Sequence, residues 1–92
     1  MNFEWDEYKA EQNYHKHGVR FEEAISIFND PLAITIYDPI HSIDEERFVD
    51  IGYSNQGRIL VVVYTERSGN IRLISVREAT KSEKTAYEQH NT

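Results

Sequence analysis

The sequence predicts an α+β domain in which two short N-terminal helices precede a meander of mainly four antiparallel strands and one closing helix. Three observations carry that expectation. Phe21, Ala24, Ile25 and Phe28 stand at the i, i+3, i+4, i+7 spacing of a helix face. The run ILVVVY at residues 59–64 is apolar at every position, the pattern of a strand buried on both sides. Its neighbours follow after short polar connections such as Ser68-Gly69-Asn70, too short for a crossover, so adjacent strands run antiparallel. Ninety-two residues without a cysteine fit a single domain, 1–92, with no disulfide, thiolate metal site or thiol nucleophile.

Taken in order, Asn2 to Trp5 has the alternation of a short edge strand. Asp6 stands at an N-cap position with Glu7 in the first turn, and the helix it opens runs to about His17, where Gly18 closes it. At 100° per residue Asp6, Lys9, Asn13 and His17 fall within roughly 80° of one another, so they form one polar stripe. The second helix starts after Arg20, which cannot cap it, and stops at Asn29-Asp30-Pro31; it depends on tertiary packing. Strands follow at Ala33 to Tyr37, Arg47 to Tyr53, Ile59 to Tyr64 and Ile71 to Arg77, with a polar loop over residues 38–46 and residues 59–64 as the central strand. Thr80 and Glu83 have capping-box spacing, and the helix after them, about ten residues long, turns Tyr87 toward the sheet. The helices are expected on one face.

The N-terminus is charged from the fourth residue, and no run approaches the roughly 20 apolar residues of a membrane span; together with the missing cysteines this predicts a cytoplasmic protein with no membrane partner. Ten bases against 16 acids, a formal charge of −6, exclude broad electrostatic capture of nucleic acid. The imbalance is local, however. Residues 1–46 hold three bases and eleven acids, whereas residues 47–92 hold seven bases and five acids. A small anion therefore finds a basic site in the second half.

Three groups have chemical potential. Thr65, Glu66 and Arg67 on the central strand, with Arg77 on its hairpin partner, combine a carboxylate with two guanidinium groups, the set that orients a phosphate while an acid moves a proton. The same residues also read as cross-strand ion pairs on a solvated face. Lys9, Asn13 and His17 place a titratable imidazole on the helix stripe, or simply favour the helix C-terminus. Asp38, His41, Asp44, Glu45 and Glu46 offer hard oxygens and one imidazole, but at neither EF-hand nor zinc spacing, so a solvated acidic loop is the reading preferred over a metal site.

The segments FEWDEYKAEQNYHKHGVRFEEAISIFNDP and RILVVVYTERSGNIRLISVREATKSEKTAYE, with the Glu-Arg pair that opens the strand at Arg47, make the chain resemble the BrnT family of toxins from bacterial type II toxin–antitoxin modules over Phe3 to Glu88. The resemblance implies a RelE-like fold and a ribonuclease that needs no metal or cofactor and inhibits translation by cleaving RNA. It also implies a heteromeric complex with a BrnA-like ribbon-helix-helix antitoxin, through which the toxin reaches operator DNA. It places Arg67 and Arg77 on the scissile phosphate with Glu66 and Thr65 beside them, and it matches Lys9, Asn13 and His17 to the family's helical motif, for catalysis or for architecture. On this basis Glu66 or His17 is expected to move protons, and Lys9, Asn13, Thr65 and Lys81 to contact the substrate. The sequence departs from the family in Arg20, where a small capping residue is common, and in its acidic balance. The acidic balance suits a different class of function, a noncatalytic module that completes a repressor with the antitoxin.

Overall fold

The computed structural model describes residues 2–92. It contains β1 (Asn2–Glu4), α1 (Glu7–His17), α2 (Phe21–Ile25) running into a 3-10 turn (Ser26–Asn29), β2 (Ile34–Asp38), β3 (Arg47–Tyr53), β4 (Ile59–Arg67), β5 (Asn70–Glu78) and α3 (Lys81–His90). The strands form one sheet in the order β1-β5-β4-β3-β2. β4 lies in the middle, as its all-apolar run predicts.

The edge strand expected at Asn2 to Trp5 is present as Asn2–Glu4 and adds a fifth strand to the four antiparallel ones by pairing in parallel with Asn70–Arg72 at the outer edge of β5. One expectation requires correction: the helices divide between the two faces. Leu60, Val62 and Tyr64 of β4 pack with Phe21, Ala24 and Ile27, whereas the intervening Ile59 and Val61 pack with Ala79 and Tyr87 on the opposite side. A strand buried on both faces needs cover on both, so the pattern of residues 59–64 already demanded a layer on each side.

The caps hold as local chemistry dictates. Asp6 accepts from the Lys9 N–H, Gly18 closes α1 at φ 70°, and Thr80 and Glu83 form the reciprocal capping box. Arg20 makes no capping bond; its guanidinium lies 3.9 Å from the Tyr14 ring centroid instead. α2 is held from outside: Glu23, nearly fully buried, takes Arg58 through both carboxylate oxygens and accepts from the Ser54 hydroxyl at 2.6 Å, which fastens the β3–β4 turn to the helix. The chain must pass close to β3 here, since a Cβ on Gly52 would lie 3.1 Å from the Ala33 Cβ and 3.3 Å from an Asp30 carboxylate oxygen. Asp30 then joins three elements by accepting from the N–H groups of Tyr53 and Leu32 and the hydroxyl of Tyr87.

β1 covers only the first residues of β5. Farther along, the Asn13 side chain does the work of an edge strand: its amide donates to the Val76 carbonyl at 2.9 Å and accepts from the Val76 N–H at 3.0 Å, with a second donation to the Val19 carbonyl.

No helix among the described residues is long and apolar enough to cross a membrane.

Candidate active site

Cross-strand register decides which sequence-predicted residues meet. The hairpin turns tightly at Ser68-Gly69, so Arg67 pairs with Asn70 while Arg77, having travelled the length of β5, pairs with Val61. Six residues of β4 separate Arg67 from Val61, roughly 20 Å at strand rise. Arg67 and Arg77 therefore do not form the cluster expected from sequence. Glu66 is separated as well, because consecutive strand residues point to opposite faces; it lies on the side of Tyr64 and Asp50, with Arg67 on the other.

The two arginine ends differ in kind. Arg77 donates through both terminal nitrogens to Glu83, at 2.7 and 2.9 Å, and Glu83 simultaneously accepts from the Thr80 N–H in the capping box. The Arg77 bond, reinforced by Thr80 and opposed by burial, holds the Glu83 carboxyl down at about 2. Every polar atom of this carboxylate is engaged in joining β5 to α3. Lys81 is exposed one residue beyond the cap.

At the Arg67 end one lateral row of the sheet runs Asp38, Arg47, Thr65, Arg72, Glu4, each residue paired with the next. The row points to the face opposite α1. Glu45, from the loop above it, is gripped by the Nε and Nη2 of Arg67, and its carboxyl is held below the usual carboxylate range by that bond and by the charges of Arg67, Arg72 and Arg47. A cleft of about 310 Å³ opens beside it, lined by Ile40, His41, Ile43, Glu45, Arg47 and Thr65 among others. Two buried polar atoms there lack hydrogen-bond partners: the Thr65 hydroxyl, on a residue only 3% exposed, and the Arg47 Nε. His41, which lines the cleft, is held by Asp38, whose carboxylate accepts from both the backbone N–H and the Nδ1–H of His41, the latter at 2.8 Å.

Lys9 and His17 line a different groove, about 290 Å³, between α1 and the free edge of β5, with Lys16, Ile74 and Ser75. Asn13 borders it, but both ends of its amide are occupied by backbone. Its side chain thus joins α1 to the edge of β5. On the α2 face of the sheet, burial pushes the Asp50 carboxyl up despite bonds from Thr35 and Tyr64, and the charge of Glu66 adds to the rise.

Sequence reasoning missed Arg47 and Arg72 as cross-strand partners of Thr65, and the Asp38–His41 bond beside the cleft that Thr65 lines. Each residue type was visible, but the lateral row exists only once the register is known. The acidic loop shows among the described residues no group of three or more side chains arranged to hold a metal.

Comparison with known proteins agrees with this fold. No curated protein matches the chain. Among solved structures, the 1.1 Å crystal structure of the Brucella abortus ribonuclease toxin BrnT is similar over 88% of this chain and 99% of that one, at 28% sequence identity and a TM-score of 0.61. Residues 5–83 match the sequence model described as "Ribonuclease toxin, BrnT, of type II toxin-antitoxin system". The match spans both helices of the N-terminal half, all four antiparallel strands and the start of α3, and the chain accordingly belongs to the BrnT family of ribonuclease toxins from type II toxin–antitoxin systems.

Proposed function

We propose that this chain is a metal-independent endoribonuclease whose scissile phosphate binds between Arg67, Arg72 and Arg47, with the Thr65 hydroxyl as a further donor. The observation that carries the reading is Glu45: three guanidinium charges act on one carboxylate of the chain itself, so the site suits an anion of that size. A carboxylate stands there for two nonbridging phosphate oxygens, and bidentate guanidinium geometry fits both. The unpartnered Thr65 hydroxyl and Arg47 Nε are hydrogen-bond groups that a bound phosphate would satisfy.

In this reading the 2′-oxygen of RNA attacks the adjacent phosphorus and the P–O5′ bond breaks, leaving a 2′,3′-cyclic phosphate and a 5′-hydroxyl end. Negative charge grows on the phosphoryl oxygens, and guanidinium groups already in place stabilise it without a metal ion. Arg77, expected from the family resemblance at the same phosphate, is assigned to architecture, and Lys9, His17 and Lys81 to neighbouring stretches of a bound strand. Translation stops because RNA is cut. A BrnA-like ribbon-helix-helix antitoxin neutralises the toxin and brings it to operator DNA, and the RelE-like character of the fold belongs to the same reading.

A second reading, a co-repressor module that binds antitoxin without cleaving RNA, is favoured by the way Glu45 fills the anion site in the free chain. The purified chain, free of antitoxin, separates the two. Cleavage of a synthetic oligoribonucleotide in EDTA, suppressed by stoichiometric antitoxin, is the expected result; antitoxin binding with intact RNA would establish the co-repressor instead.

A further inference from the structure

The proposed phosphate site supplies charge but no proton carrier, since Glu66 faces the other side of the sheet and His17 lines another groove. The loop over the cleft holds a candidate that the sequence offered only as part of a metal site. His41 donates through Nδ1–H to an Asp38 carboxylate oxygen at 2.8 Å, and its backbone N–H donates to the other oxygen of the same group at 3.3 Å. Those two bonds fix the ring's orientation and leave Nε2 free. The loop itself is clamped: the Ser42 hydroxyl donates to the Asp38 carbonyl and accepts from the Arg47 N–H at 2.8 Å, which ties the turn bearing His41 to the residue that bears the phosphate-site guanidinium. His41 shares the cleft with Arg47 and the unpartnered, buried Thr65 hydroxyl. Ile40 and Ile43, 79% and 89% exposed, flank it as an apolar rim on which a base can rest.

We infer that His41, oriented by Asp38, is the proton-transfer group of this ribonuclease, an assignment that rests on the phosphate-site reading above. The imidazole Nε2 takes the proton of the 2′-hydroxyl as the O2′–P bond forms. The electron pair of the breaking P–O5′ bond goes to the 5′-oxygen, which takes a proton from water. The imidazolium, balanced by the Asp38 carboxylate, then gives its proton to the hydroxide left behind, so the cycle consumes no other reactant.

The test uses the full chain, purified without antitoxin, and an oligoribonucleotide in EDTA. His41→Ala is expected to lower the cleavage rate by about 100- to 10,000-fold, the usual contribution of general acid–base groups, with an unchanged melting temperature. Imidazole added to the buffer restores a concentration-dependent part of that rate, which a structural role of His41 would not allow. Asp38→Asn lowers the rate by about tenfold or more. Arg67→Ala serves as the arm for the underlying reading. Full activity of His41→Ala or Asp38→Asn beside an inactive Arg67→Ala, or an inactive His41→Ala that imidazole leaves inactive, overturns the pair and spares the phosphate site. Full activity of Arg67→Ala overturns the phosphate site, and no cleavage by wild type overturns both.

Discussion

Arg67 and Arg77 occupy opposite ends of one hairpin, and each grips a glutamate through two nitrogens. Their surroundings separate them. Around Arg77 the polar groups are used up: Glu83 serves the guanidinium and the α3 cap together. Around Arg67 they are not: two further arginines act on the same glutamate, and a buried hydroxyl and a buried guanidinium nitrogen have no partner. A saturated network rigidifies a fold, whereas leftover buried hydrogen-bonding capacity beside a cleft is what a ligand completes. In the proposed reading, the contrast separates two similar-looking ion pairs into a structural joint and a phosphate site.

The largest expected effect breaks the symmetry directly. Arg67→Ala should slow RNA cleavage by roughly 100- to 1000-fold, the cost of one charge-stabilising donor, with little change in melting temperature. Arg77→Ala should instead lower the melting temperature and leave the rate per folded molecule close to wild type; kinetics normalised to the folded fraction checks both. Next in size is Asn13→Ala, expected to cost about 2 to 3 kcal/mol in chemical denaturation, because it strands the N–H and C=O of Val76 at an uncovered sheet edge. Glu45→Gln sharpens the comparison from the other side. Removing the internal carboxylate should tighten RNA binding by about tenfold, equivalent to 1.4 kcal/mol, measured with a noncleavable 2′-deoxy analogue.

The smallest effect is a pH dependence at the Arg77 end. Glu83 titrates at about 2 in the folded chain against an ordinary value of 4.5, so between those values the unfolded state binds more protons. Stability from this joint is full above about pH 4.5 and lost as pH falls toward 2. Discounted for the exposure of the pair, it amounts to about 1 kcal/mol, and Glu83→Gln should flatten that part of the acid limb in thermal melts.

Residues whose role is local were legible in the sequence. Asp6, Gly18, Thr80 with Glu83, and the all-apolar run of residues 59–64 each announce their structure within a few positions. The parallel pairing of β1 was not, since three residues carry no signal for a partner about 70 positions away. The candidate site failed for the same reason. Thr65 and Arg67 stood out by type, but their neighbours Arg47 and Arg72 are set by register, and Glu45 and His41 by how the loop at residues 39–46 folds back. Arg77 shares a hairpin with Arg67, but a strand nine residues long sets the two arginines at opposite ends of it. The −6 charge is compatible with a local phosphate site because Glu7, Glu11, Glu22 and Glu23 lie on α1 and α2, on the face of the sheet opposite Arg47, Arg67 and Arg72.

The most direct test of the contrast follows the arginine side-chain Nε–H signals by NMR while a noncleavable 2′-deoxy oligonucleotide is titrated into the protein. The account predicts that Arg67, Arg72 and Arg47 shift together as phosphate displaces Glu45, and that Arg77 stays where it is. Movement of Arg77 with the other three unmoved would place the phosphate at the opposite end of the hairpin and contradict it.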